Sequence, residues 1–187
     1  MTNATKTKPA ESPSDRGSAS NMLFDVQPVE MGAAFSDCRK YRWALWRKWD
    51  DDLPPCVFIG LNPSTADETE DDPTIRRCIG FAKSWGLGGL VMLNAFAFRA
   101  TDPKVMMAAD DPIGEANNRT IALTTYSASL NQGRIIAAWG AHCPDGRQRD
   151  VCQQVNGDLY CLGRTKAGKP KHPLYLRADT QPELFSA

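Results

Sequence analysis

The chain of 187 residues lacks a net charge, since 22 Lys and Arg balance 22 Asp and Glu. That balance excludes a global field that would draw in a polyanion, so any contact with nucleic acid has to come from a local patch. Histidine is scarce, with two in the chain, and the six cysteines at positions 38, 56, 78, 143, 152 and 161 include no Cys-x-x-Cys pair. Zinc sites and disulfide frameworks both rest on close, regular spacing of such residues, so neither is expected. His142 and Cys143 are adjacent, but neighbours on most elements point different ways, and no metal or other cofactor is implied. Also missing is an apolar run long enough for a secretory segment or a membrane span, so a cytoplasmic chain without a membrane partner is expected. A monomer with one core suits this length.

Residues 1–21 are polar and rich in Ser, Thr, Lys and Pro, with no periodic apolar positions to offset the entropy of ordering. They read as a disordered tail, and residues 22–187 as a single α/β domain. Four apolar runs stand out in that domain. Val57-Phe58-Ile59-Gly60 ends in the polar loop Leu61-Asn62-Pro63-Ser64-Thr65-Ala66-Asp67; Leu90-Val91-Met92-Leu93 ends on Asn94, with Arg99 and Thr101 just beyond; Arg134–Gly140 and Leu159–Gly163 follow. Short continuous apolar runs bounded by turn residues are the pattern of buried parallel strands. Helical segments separate them. Asp72-Pro73 is a helix-start signature, with Ile75, Ile79, Ala82 and Trp85 at helical spacing before Gly86. Asp111-Pro112 repeats the signature ahead of a helix carrying Asn117, Asn118 and Arg119 in its early turns, and a further helix runs from Pro144 to about Val155. The alternation predicts a three-layer α/β sandwich: a mainly parallel four-stranded sheet with helices on both faces. Cys38–Trp49 adds an N-terminal edge strand, with Tyr41, Trp43 and Leu45 on one side and Arg42 opposite. Its tryptophans are expected to pack the core and its arginines to be solvated, the alternative being a stacking, basic surface for a nucleic-acid strand.

In open α/β sheets ligands bind beyond the carboxyl ends of the strands, and three of these runs end on chemically useful loops. Gly60 permits close backbone approach, Pro63 pushes Asn62 out of the helical region, and the Asn62 amide offers a donor and an acceptor to a water or ligand. Asn62 and Ser64 alternatively make only local turn bonds. Asn94 ends the second strand at the same edge. Among the acids after the loop, capping and solvation account for most; Asp67 lies closest to the candidate site, and Asp67, Asp71 and Asp72 together could hold Mg²⁺. After the fourth strand, Arg164, Lys166, Lys169 and Lys171 fall within eight positions without an acid, a patch able to meet phosphates. His172 follows, held extended by Pro173.

Taken in order, these strand ends resemble the uracil-DNA glycosylase superfamily. Gly60-Leu61-Asn62-Pro63 resembles the first motif of its mismatch-specific branch, Val91–Ala95 the strand whose terminal Asn reads a flipped base, Ala138–His142 the third core strand, and His172-Pro173-Leu174 the C-terminal His-Pro motif with its wedging neighbour. Asn-Pro-Ser-Thr-Ala-Asp, Asp-Asp-Pro-Thr and His-Pro-Leu-Tyr also resemble an uncharacterised bacterial and phage family of unknown function, over about residues 36–177. The glycosylase resemblance implies cleavage of an N-glycosidic bond of a damaged or modified base in DNA. Asn62 would orient water and His172 would donate to the base carbonyl; Asp67, from its place beside the loop, is a third catalytic candidate. Gly60, Pro63, Ser64, Asn94, Arg99 and Leu174 would surround the base, and the basic patch would hold phosphates. Asn62 replaces the Asp of other branches and cannot act as a base, so a slow enzyme or a labile substrate is expected. Two other readings stay open: a metal-dependent enzyme on free nucleotides or nucleosides, and a non-catalytic module binding nucleic acid or protein.

Overall fold

Alternate residues of the strand β3 (Pro55–Gly60) serve opposite faces of one sheet, and that alternation builds the architecture. Cys56 and Phe58 pack with Ile75, Cys78 and Phe81 of helix α1 (Pro73–Ser84), whereas Val57 and Ile59 pack with Ile121 and Ala128 of α3 (Asn117–Leu130) and Val151 of α4 (Asp145–Gln154). Both faces are covered, so the strand is apolar at every position and wholly buried from Cys56 onward. Fully burying a side chain such as Phe58 stabilises the fold by roughly 1.5–3 kcal/mol.

The computed structural model describes Met1 and residues 30–186. The tail expected at residues 1–21 therefore lies, Met1 apart, outside the described residues. The remaining elements are β1 (Glu30–Phe35), β2 (Arg42–Lys48), β4 (Gly89–Asn94), α2 (Pro103–Met107), β5 (Arg134–Ala137), β6 (Leu159–Cys161), a 3₁₀ turn at Pro173–Tyr175, and β7 (Glu183–Leu184). They form a seven-stranded sheet in the order β1-β2-β4-β3-β5-β6-β7. The four central strands are parallel, while β2, β1 and β7 run antiparallel to their neighbours. Mixed α/β architecture with a parallel centre flanked by helices is thus as expected. Two flanking strands were not: β1 covers β2, which is therefore not the edge, and β7 closes the other side. No helix among the described residues is long and apolar enough to cross a membrane.

Local signals account for the helix ends. Asp72 accepts from Ile75 N at 2.9 Å and Pro73 starts α1, while Gly86 leaves the helix at φ +72. Asp102-Pro103 starts α2 in the same way. Asp111-Pro112 does not start a helix: Asp111 instead closes a turn through Gly114 N at 2.9 Å, and α3 begins later without a side-chain cap. The same dipeptide chemistry suits a turn as well as a helix start, and the residues after it decide.

The solvated arginines expected on β2 are a correction. Arg47 is fully buried and Arg42 is 2 % exposed. Arg47 donates from Nε to Asp71 at 2.9 Å, and its other nitrogens reach the carbonyls of Trp46 at 2.8 Å and Asp67 at 2.8 Å. The acidic loop after Asn62-Pro63 folds over the sheet, and its carbonyls and Asp71 make the interior polar enough for a guanidinium. Trp43, Trp46 and Trp49 are conversely only half-buried. Trp139 on the β5 loop is the tryptophan that packs fully inside.

Candidate functional site

The chain enters the parallel sheet at β3, moves to β4 on one side, then crosses to β5 on the other. Strand order reverses at that point, and the loops leaving β3 and β5 separate to open a crevice. A cleft of about 770 Å³ lies there, lined by Gly60, Asn62 and Ser64 from the β3 loop, Asn94 at the end of β4, Trp139 to His142 after β5, and Lys171, His172 and Tyr175 from the C-terminal segment. Three polar residues far apart in sequence, Asn62, Asn94 and His172, thus face one space.

Asn94 sits opposite Gly60 in the β3–β4 register. It is 2 % exposed, and its amide nitrogen is buried with no partner among the described residues. Its backbone is fixed from behind: Asn117 Nδ2 donates to the carbonyls of Asn94 and Ala95, both at 3.1 Å, and Arg147 Nε donates to Ala95 O at 2.7 Å. A donor buried without an acceptor costs about 1–3 kcal/mol, and here the surrounding pins prevent its relaxation. Gly60 is part of the same device. A Cβ on it would lie 3.0 Å from Asn94 Oδ1, close enough that the amide would have to give by a few tenths of an ångström. Gly60→Ala is expected to leave the protein folded but to shift the Asn94 amide and weaken ligand binding about tenfold, for about 1.4 kcal/mol. Titration of the variant beside the wild type checks it, and equal affinity would remove Gly60 from the site.

Asn62 is oriented by its own loop. Its Nδ2 donates to Ala100 O at 2.7 Å and Pro63 O at 3.1 Å, which fixes the amide's direction and leaves Oδ1 as an acceptor with no partner among the described residues. His172 accepts the Leu174 N–H on Nδ1 at 3.3 Å, so in the neutral ring the proton sits on Nε2, a donor. Burial holds the imidazole below its ordinary 6.5, with Asp72 opposing. A lowered folded value means that the contribution of neutral His172 to stability is present above pH 6.5 and is lost as pH falls through the lower value in the folded state. Thermal unfolding of wild type should therefore weaken more steeply below pH 6.5 than that of His172→Gln; parallel curves would contradict it.

The other expected site residues are placed differently. Ser64 and Lys171 line the cleft. Pro63 is buried beneath the loop, its carbonyl accepting from Ala100 N at 3.0 Å. Asp67 lies outside the lining and holds its own loop, accepting from Thr69 N at 2.9 Å and Glu70 N at 2.8 Å, bonds that lower its pKa. Arg99 stacks its guanidinium over Phe35 at 4.8 Å, away from the cleft. Leu174 is half-buried, whereas its neighbour Tyr175 stands 86 % exposed at the cleft's mouth, its ring 6.4 Å from His172. Of the basic patch, Arg164 donates to Ser186 O at 3.0 Å, Lys169 pairs with Asp145 and Lys166 is exposed outside the lining, leaving Lys171 at the rim. The acids considered for Mg²⁺ are also engaged, Asp71 by Arg47 and Asp72 by the α1 cap. No group of three or more His, Cys, Asp or Glu among the described residues is arranged to hold a metal. Sequence reasoning missed Tyr175 and the pins Asn117 and Arg147, and placed Arg42, which also lines the cleft, on a solvated face.

Compared with curated proteins, the chain finds no match. A family model does match, over residues 42–174, and this segment carries the loop of Asn62, the Asn94 strand end and His172; the chain belongs to DUF1643, a family of proteins of unknown function.

Proposed function

We propose that the cleft receives a nucleobase and that the chain hydrolyses the N-glycosidic bond of a damaged or modified base in DNA. The observation that carries the reading is the buried Asn94 amide donor, without a partner among the described residues, in a cleft at the strand-order reversal. A base carbonyl is the acceptor it lacks, and a site with such a group discriminates strongly against ligands that cannot pair with it. The Asn94 amide oxygen as acceptor and the His172 Nε2–H donor complete a set that matches the alternating donors and acceptors of an imide edge. Tyr175 offers a ring on which the heterocycle can stack. The motif likeness to uracil-DNA glycosylases supports the same assignment.

In the reaction the C1′–N bond breaks, its electron pair leaving with the base, and water oxygen bonds to C1′ as the sugar passes through an oxocarbenium-like state. Asn62 Oδ1 accepts from that water and aims it, without removing its proton. The Nε2–H of His172 stabilises the negative charge that grows on the base carbonyl, and a water proton finally reaches the base. Asp67 holds the loop that carries Asn62, and Lys171 meets a phosphate at the rim.

Incubation of the protein with oligonucleotides bearing uracil, hydroxymethyluracil and other modified bases should give alkali-labile abasic sites, lost in His172→Ala. No product and no binding with any base would overturn the reading. The engagement of Arg164 and Lys169 within the chain favours a second reading on the same site, hydrolysis of free nucleosides or nucleotides, and release of base from those compounds in the absence of oligonucleotide cleavage identifies it.

A further inference from the structure

Arg42 is a cation in the cleft that base recognition by Asn94 and His172, with water held by Asn62, leaves unused. It reaches the cleft from the start of β2, is 2 % exposed, and is anchored through one nitrogen, which donates to Ala66 O at 2.8 Å. Among the described residues its buried Nε has no partner and no ion pair includes it. Asp72, which also lines the cleft, and Asp67 act on it through space without bonding to it, each carboxylate accepting through Oδ1 in the α1 cap or in the loop. Burial lowers its pKa to about 10, which still leaves it cationic at neutral pH. Arg47, five residues on, is met by Asp71 and several carbonyls, and Arg147, also buried and in none of the ion pairs among the described residues, still spends two nitrogens on Ala95 O and Asn118 Oδ1. Arg42 receives no such set. A buried cation without a hydrogen-bonded counter-charge is unfavourable, and its replacement by an apolar residue of similar volume is expected to be neutral or stabilising.

We propose that Arg42 is the oxyanion-binding group of the cleft, and that the ligand carries a negatively charged oxygen, on a phosphate or on the base itself, that completes its hydrogen bonds. The inference rests on the cleft being the ligand site proposed above, and it extends that reading by fixing the ligand's charge. A guanidinium presents planar paired donors that fit phosphate and carboxylate oxygens, and within a low-dielectric cleft such bonds select strongly for charge.

The test is calorimetric titration of the full chain with thymidine, thymidine 5′-monophosphate, uracil, uracil 6-carboxylate and inorganic phosphate, in wild type, Arg42→Met and Arg42→Lys. At least one anionic probe should bind tenfold or more tightly than its neutral parent. Preference for the monophosphate locates the oxyanion on phosphate, and preference for the ring carboxylate locates it on the base. The preference should vanish in Arg42→Met and persist in part in Arg42→Lys, while the unliganded Arg42→Met protein melts at the wild-type temperature or above it. Equal binding of neutral and anionic probes, a preference that survives in Arg42→Met, or an Arg42→Met protein that fails to fold would each overturn the inference, the last because it would make Arg42 structural. Neutral nucleosides bound without charge preference would leave the base-binding reading standing alone; inorganic phosphate bound as tightly as thymidine 5′-monophosphate would leave Arg42 standing alone; binding of no probe overturns the inference.

Discussion

Asn94→Ala is expected to reduce kcat/KM, or affinity where binding is measured, by about a hundredfold, some 2.7 kcal/mol, while leaving the urea midpoint of the unliganded protein at or slightly above that of wild type. The two halves of this result belong together. Removing a donor that has no acceptor among the described residues forfeits no hydrogen bond to them and removes a buried group whose desolvation is uncompensated. The ligand, by contrast, loses the group built to meet it. A residue that merely packed the end of β4 would behave the opposite way, with a large fall in stability and affinity changing only in proportion to unfolding. Asn94→Asp sharpens the distinction, because it puts an acceptor where the donor was and should bind imide bases no better than Asn94→Ala. Denaturation and titration on the same three proteins check the whole set.

Arg47→Ala is expected to have the largest effect on stability, about 3–5 kcal/mol, since it strips a fully buried guanidinium from Asp71 and from carbonyls on β2 and the acidic loop. This side chain fastens the loop between Ala66 and Asp71 to the sheet together with Arg42 at Ala66 O and Arg39 at Glu68, so part of the loss should show as increased proteolysis within that loop. Arg47→Lys keeps the charge but not the planar set of donors, and it should recover less than half of the loss. Chemical denaturation of the three proteins measures it; a change below 1 kcal/mol for Arg47→Ala would mean that the loop is held by other contacts.

Much of the sheet was legible because its central strands are covered on both faces and so read as unbroken apolar runs, as in Val57-Phe58-Ile59 and Leu90–Leu93. The outer strands were not. In β1, Glu30-Met31-Gly32-Ala33-Ala34-Phe35 has small residues and no clean alternation, since Gly32 lies under the Trp46 ring, where a Cβ would come within 2.5 Å of it. In β7 two residues carry the pairing and both are exposed. The candidate site was legible where a strand ended on an amide, at Asn62 and Asn94, because a single strand end locates a residue at the carboxyl edge. It was illegible where long-range folding decided burial. Arg42 and Arg47 carry the composition of a solvated face, and only the return of the 66–71 loop over the sheet encloses them. Basic spacing at 164–171 likewise suggested a phosphate patch, yet Arg164 and Lys169 are taken up by β7-side carbonyls and by Asp145, partners remote in sequence. Tyr175, rather than Leu174, projects at the mouth because the 3₁₀ turn at Pro173–Tyr175 rotates successive side chains to different sides.

The side-chain amide resonance of Asn94 in ¹⁵N-labelled protein, followed by NMR during addition of a nucleobase or nucleoside, reports directly on whether its partnerless donor meets a base carbonyl. A saturable downfield shift of its amide protons with an imide-bearing base, absent with a purely aromatic compound of the same size, is the expected result. An Asn94 amide that stays unmoved by every base and nucleoside tried, while the protein remains folded, would contradict nucleobase recognition in this cleft.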